Sequence, residues 1–287
     1  MTACCERWSL RKSLYRGGRE FHLRGAMLRV YEIKGNGLPP DAPAEGLEGI
    51  WPESPFYYLF YRKDSARPVS QWLKSHPGWS LTGRYDLPYE KWQDISAPEI
   101  SIGLFDIFIS TDSPHRPGRI KILIEPGIVF GSGLHPTTRG CLLAISEIFE
   151  SNKIHRAVDF GAGTGILAIA CALAGAEFTL AIDRNPLALE NAGKNARANG
   201  VEGRIGLAQA EELGCLNLSP DFLVINLEWP ILEKILASGQ WRNAKRVVLA
   251  GFLQSRLESV KKFARPDFEV SKVAQLQGWP TVIFSRP

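Results

Sequence analysis

Seven consecutive residues, Asp159-Phe160-Gly161-Ala162-Gly163-Thr164-Gly165, set a carboxylate ahead of three glycines at alternate positions. Glycines let a ligand come close to main-chain N–H groups, and a glycine turn that opens a helix adds the partial positive charge of the helix N-terminus. Further along, Asp183 offers a second carboxylate, whose oxygens can accept hydrogen bonds from a ribose diol. Asn226 ends an apolar run with an amide that can donate and accept at once. Together these groups suit an adenosine-bearing cofactor and leave one amide to orient a second reactant.

The spacing separates the adenosine cofactors. A dinucleotide fingerprint, Gly-x-Gly-x-x-Gly, would put glycine or alanine at position 166, where this chain has Ile166. Asp159 would repel a pyrophosphate, whereas it can balance the cationic amino-acid end of S-adenosyl-L-methionine. The expectation is therefore a methyltransferase with Asp159, Gly161, Gly163, Gly165 and Asp183 as cofactor contacts and no metal site.

These residues need elements to position them. From residue 156 onward, short apolar runs alternate with segments of helical period, the pattern of an α/β doubly wound Rossmann-like sheet. Strands are predicted over 156–160, 178–182, 204–208, 221–226 and 246–251, with helices over 166–174, 186–199, 229–238 and 254–264. Two last strands, 268–274 and 279–284, flank a link too short for a crossover helix, so they pair antiparallel and complete a seven-stranded sheet. The part rich in Tyr, Trp and Pro before residue 85 reads as a small α+β module. This predicts three regions: an N-terminal module over 1–85, a connector over 86–119 with one strand at 102–109, and the large domain over 120–287.

Composition narrows the class. The 287 residues are 45% hydrophobic and 22% charged, enough for a sizeable core and incompatible with a disordered or collagen-like chain. No window approaches the ~20 uncharged apolar residues of a bilayer span, and the basic N-terminus lacks a signal-peptide core. No membrane association and a cytoplasmic location are expected. Five cysteines without a Cys-x-x-Cys pair read as reduced thiols. The net charge is +4, yet the first 34 residues alone hold eight basic and three acidic side chains. That leading segment could make a weak contact with ribosomal RNA or simply be a solvated tail, and Met27, followed by a strand-like run, could be the natural start.

The stretch Glu125-Pro126-Gly127-Ile128-Val129-Phe130-Gly131-Ser132-Gly133-Leu134-His135-Pro136-Thr137-Thr138 resembles the signature of the ribosomal protein L11 methyltransferase family, PrmA. The resemblance extends from Tyr89 to the C-terminus, including the glycine loop and Asn226-Leu227-Glu228 after the fourth strand. It implies a class I enzyme that moves methyl groups from S-adenosyl-L-methionine to lysine ε-amines and the N-terminal α-amine of an L11-like ribosomal protein. The small front domain is implied to recognise that substrate. Carried over by motif position, Thr138, Gly161, Asp183 and Asn226 are the implied cofactor and active-site contacts, and Asn226, Thr138 and Phe130 are the catalytic candidates.

Each of these residues has a plainer reading. Thr138 could cap a helix, Asn226 could be a strand-end turn residue, and Phe130 could wall the methyl channel or be ordinary core. His135 is expected to order its loop rather than to abstract a proton. The chain departs from the family pattern at Glu125, Val129, Ser132 and Glu228, the last adding an acid beside the proposed amine pocket. The run Asn226-Leu227-Glu228-Trp229 is not the Asn-Pro-Pro-Tyr of amide-type nitrogen acceptors. Other acceptors for the same fold are another protein, RNA or a small amine; a non-catalytic module that docks on the ribosome is the reading from a different class. The sequence leaves the oligomeric state open.

Overall fold

The computed structural model describes residues 27–36, 39, 41–53, 55–89, 99–109, 116–125, 127, 135–216 and 219–287. The basic residues of segment 1–26, the resemblance at 90–92 and Phe130 lie outside these described residues.

Seven strands form the large sheet: β8 (Arg156–Phe160), β9 (Phe178–Asp183), β10 (Ile205–Gln209), β11 (Phe222–Asn226), β12 (Arg246–Ala250), β13 (Glu269–Leu276) and β14 (Trp279–Ser285), in the order β10-β9-β8-β11-β12-β14-β13. β8 to β12 are mutually parallel, and β14 is antiparallel to both β12 and β13. The central strands are apolar on both faces because helices cover both sides of a parallel sheet. In β11, Phe222 and Val224 face one core, with Cys141, Leu142 and Ile145 of helix α2 (Pro136–Ser151) and Ile166, Leu167 and Ile169 of α3 (Ile166–Leu173). Leu223 and Ile225 face the other, with Leu232 of α5 (Trp229–Ser238), Trp241 and Val260 of α6 (Leu257–Ala264). Helix α4 (Pro186–Ala198) flanks β9 and β10.

The chain moves outward from β8 through β9 to β10, then returns to the other side of β8 as β11. This reversal opens a crevice at the carboxyl ends of β8 and β11, the usual ligand position in doubly wound sheets. Its floor is set by register: Phe160 pairs with Ile182 on one side and Ile225 on the other, so Gly161, Asp183 and Asn226 emerge at one edge.

The front module is an antiparallel sheet in the order β2-β3-β1-β4, formed by β1 (Met27–Lys34), β2 (Leu47–Glu53), β3 (Phe56–Tyr61) and β4 (Ser80–Pro88). Helix α1 (Ala66–Ser75) packs Val69 and Trp72 on one face, against Tyr31, Ile33, Tyr57, Leu59 and Tyr61. The opposite cluster of Leu28, Val30, Phe60 and Tyr89 receives Leu187 from α4. β4 runs past residue 85, where the sequence suggested the module's end.

The strand expected over 102–109 is instead two. β5 (Glu99–Ile102) and β6 (Phe105–Phe108) form a hairpin about Gly103, at φ +53°, and β6 also pairs in parallel with β7 (Ile120–Leu123). Apolar residues dominate the run on both sides of the turn, so only the turn glycine marks the break.

Candidate active site

The glycine loop leaves β8 and enters α3. Gly161 has φ +85°, and a Cβ there would stand 2.5 Å from Leu227 Cδ2 in the turn after β11. The main chain of the loop is thus approached closely from the β11 side. Its N–H groups, however, are engaged within the protein. Gly161 and Ala162 both donate to the Ile182 carbonyl at 2.8 and 2.9 Å, and Gly165 donates to the Ala162 carbonyl at 2.7 Å. Gly163 donates to Asp183 Oδ2 at 3.0 Å. Where the sequence suggested donors open to a ligand at these glycines, the structure has their N–H groups engaged within the protein.

Asp183 ends β9 half-buried. Its Oδ1 accepts from the Asn185 N–H at 2.8 Å while Oδ2 accepts from Gly163, which fixes the plane of the carboxylate and leaves further lone pairs for a diol. Burial raises its pKa against the opposing pull of these N–H donors. Asp159 lies deeper, at 1% exposure, in β8. Its Oδ2 accepts from the Ala168 N–H in α3 at 3.0 Å, and its Oδ1 has no hydrogen-bond partner among the described residues. Burial pushes its pKa up to about 7; the Ala168 N–H pulls it back and the nearby Asp183 carboxylate adds to the rise.

Helix α2 brings the third group. His135 is its N-cap: Nδ1 accepts from the Thr137 N–H at 3.4 Å and lies 2.8 Å from Thr137 Oγ1, with Pro136 opening the helix. The His135 ring also meets Trp279 edge-on at 5.1 Å. The cap being taken by His135, Thr138 does not serve as one. Its buried hydroxyl accepts from Asn226 Nδ2 at 3.3 Å, joining residues far apart in the chain. The Asn226 side chain is therefore turned with Oδ1 free of any partner among the described residues.

The rim follows. Glu228 is exposed and is the N-cap of α5, yet its carboxylate makes no cap bond. Trp229 begins the helix, with the Arg256 guanidinium 5.1 Å above its ring. Sequence reasoning missed Leu227, which fills the space beside Gly161 and whose main chain lies against Gly251. It also missed Asn195, whose amide touches the glycine loop. The recurrence of asparagine at 191, 195 and 199, one face of a helix, was a readable signal.

A family model described as "Ribosomal protein L11 methyltransferase (PrmA)" matches residues 89–287. A ribosomal protein L11 methyltransferase of Edwardsiella ictaluri is 31% identical over 250 residues, covering 84% of each chain. One from Shewanella halifaxensis is 30% identical over 254 residues, covering 85% of this chain and 86% of the relative. Both alignments are longer than the 89–287 stretch and so reach into the front module. Among solved structures, the ribosomal protein L11 methylase of Lactobacillus delbrueckii subsp. bulgaricus superposes with a TM-score of 0.59 at 24% identity, over 66% of this chain and 99% of that one.

Proposed function

The chain belongs to the ribosomal protein L11 methyltransferase family, and we propose that it methylates lysine ε-amines and the N-terminal α-amine of L11, using S-adenosyl-L-methionine. The observation that carries this reading is the 3.3 Å contact of Asn226 with Thr138 at the sheet's switch point, beside Gly161 and Asp183. It assembles the α2 entry, the glycine loop and the end of β11 around one crevice.

The residues fit the cofactor. Asp159 has a buried carboxylate oxygen with no partner among the described residues, a counter-charge for a cationic amino-acid end. Gly161 allows close approach, and Asp183 is oriented by two N–H groups to receive ribose hydroxyls. When bound, S-adenosyl-L-methionine supplies a sulfonium methyl that an uncharged amine can take in one displacement. The work left to the protein is alignment and desolvation. Asn226 Oδ1 accepts a hydrogen bond from the incoming amine and so aims its lone pair, while the bond to Thr138 keeps the amide from turning. A lysine amine, with an unperturbed pKa of about 10.4, must arrive or become neutral, and burial favours that form. The exposed Glu228 carboxylate at the rim, which makes no cap bond, supports attraction of the protonated amine before it is buried.

The front module is assigned to recognition of the protein substrate, and the family's substrate implies action in the cytoplasm, where ribosomes are built. Substitution separates the roles. Asn226→Ala should lower kcat about a hundredfold and leave the S-adenosyl-L-methionine Kd within about twofold, whereas Asp183→Ala should weaken that Kd tenfold or more, about the value of a charged hydrogen-bond pair. Equal losses of both quantities in Asn226→Ala would contradict a role in aiming the acceptor.

A further inference from the structure

Asn191 and Asn195 of α4, with Asn199 at its C-terminal cap, face the chain from Leu123 to Gly127. Asn199 pairs with Leu123: its Oδ1 accepts from the Leu123 N–H at 2.8 Å and its Nδ2 donates to the Leu123 carbonyl at 2.7 Å. Asn195 pairs with Glu125 in the same way, at 2.9 and 3.1 Å. Asn191 donates to the Glu125 carbonyl at 3.2 Å, and a Cβ on Gly127 would stand 2.6 Å from Asn191 Nδ2. Gly127 itself has φ +62°.

The two repeats match. Four residues of α-helix advance about 6 Å and two residues of strand about 6.6 Å, so asparagines at i, i+4 and i+8 can follow alternate residues of an extended chain. Each amide has one acceptor and one donor group, as a neighbouring strand would. These amides thus pair with the main chain at the end of β7 and just beyond it, and a side chain at 127 would be strained by the positive φ and would have to push the Asn191 amide aside.

Asn195 does more than pair with the strand. Its Nδ2 also donates to the Thr164 carbonyl at 2.9 Å and meets Asn191 Oδ1 at 3.2 Å, at 1% exposure. Thr164 stands between Gly163, which holds Asp183, and Gly165, where α3 begins. A Cβ at Gly165 would lie 2.8 Å from Ala192 Cβ, so α4 is seated directly on the loop. One buried amide therefore ties the glycine loop to the segment at Glu125 and Gly127.

We infer that Asn195 is a positioning residue for cofactor binding: it fixes the glycine loop against the Glu125 main chain, with Asn191 and Asn199 setting the register. The inference rests on the reading of this crevice as an S-adenosyl-L-methionine site. Asn195→Asp keeps the size and the acceptor for the Glu125 N–H but loses the donors to Thr164 and Glu125. It should weaken the S-adenosyl-L-methionine Kd about tenfold and leave the KM for the protein acceptor within about twofold, since the loop is displaced and the acceptor groups are not. Asn191→Ala, at a half-buried position that should fold without difficulty, should weaken the same Kd about threefold, through the lost support of Asn195.

Calorimetric titration of S-adenosyl-L-methionine into the full-length wild type and both variants, below their melting temperatures, reads these changes. Wild-type binding with variant Kd values within twofold of it overturns the positioning role alone, even if the variants melt lower. Absence of wild-type binding overturns this inference together with the cofactor reading on which it stands.

Discussion

At the residue scale, the polar chemistry of the crevice depends on how each side chain is already committed. Thr138 and Asn226 were identifiable from motif positions, but their partnership depends on His135 taking the cap of α2, which residue order alone does not decide. Asp159 was legible as an acid beside a glycine loop. Its burial was not, because that follows from where Ala168 of α3 comes to lie. The consequence is a pH dependence with a definite sign. With a folded pKa of about 7, against about 3.9 for an unperturbed aspartate, Asp159 keeps a proton in the folded chain that the unfolded chain releases. Its contribution to stability is present below the unfolded pKa and is lost as pH rises through the folded one. Asp159→Asn should therefore flatten the fall of the urea midpoint between about pH 4 and pH 7. A cationic ligand favours the ionised carboxylate, so wild-type affinity for S-adenosyl-L-methionine should strengthen as pH rises toward 7, and Asp159→Asn should lose that trend. An unchanged pH profile of Kd in the variant would remove Asp159 from cofactor recognition.

At the element scale, periodicity was sufficient for the large domain. The strand over Arg156–Phe160 and the helix over Trp229–Ser238 fall where the apolar pattern and turn residues placed them. Boundaries moved where a turn intervened. A short 3-10 turn, Glu202–Arg204, takes the start of the predicted third strand, and another, Gln254–Arg256, precedes α6. What the pattern could not carry is how closely strand ends approach one another. Leu227 lies between Gly161 and Gly251. A Cβ on Gly251, at φ +93°, would stand 2.2 Å from the Leu227 carbonyl oxygen, whereas at Gly161 it meets only the movable end of the Leu227 side chain. Gly251→Ala should thus cost about 3 kcal/mol or more, as main chain must shift, and Gly161→Ala about 1–2 kcal/mol from its positive φ. Chemical denaturation of both variants checks the order; equal costs would mean that the turn after β11 yields as easily as a leucine side chain.

At the scale of the whole molecule, the front module and the catalytic half meet through α4. Leu187 in its first turn packs on Leu28, Val30, Phe60 and Tyr89, while the same helix carries Asn195, whose amide bonds the glycine loop at Thr164. Sequence composition distinguished the front module from the doubly wound half, but the helix that joins them was legible only as one of several flanking helices. If the module presents the substrate, Leu187→Lys should raise the KM for the protein acceptor about tenfold by loosening this contact and leave the cofactor Kd within about twofold. An unchanged acceptor KM would separate the module from substrate recognition. The central claim concerns the acceptor itself, and its direct measurement is transfer of isotope-labelled methyl from S-adenosyl-L-methionine to purified L11, read by intact mass and peptide mapping, with a ribosome-free extract offered in parallel. Labelled lysine ε-amines and a labelled N-terminal α-amine on L11 are the predicted result. An unlabelled L11 beside another labelled species in the extract would contradict it.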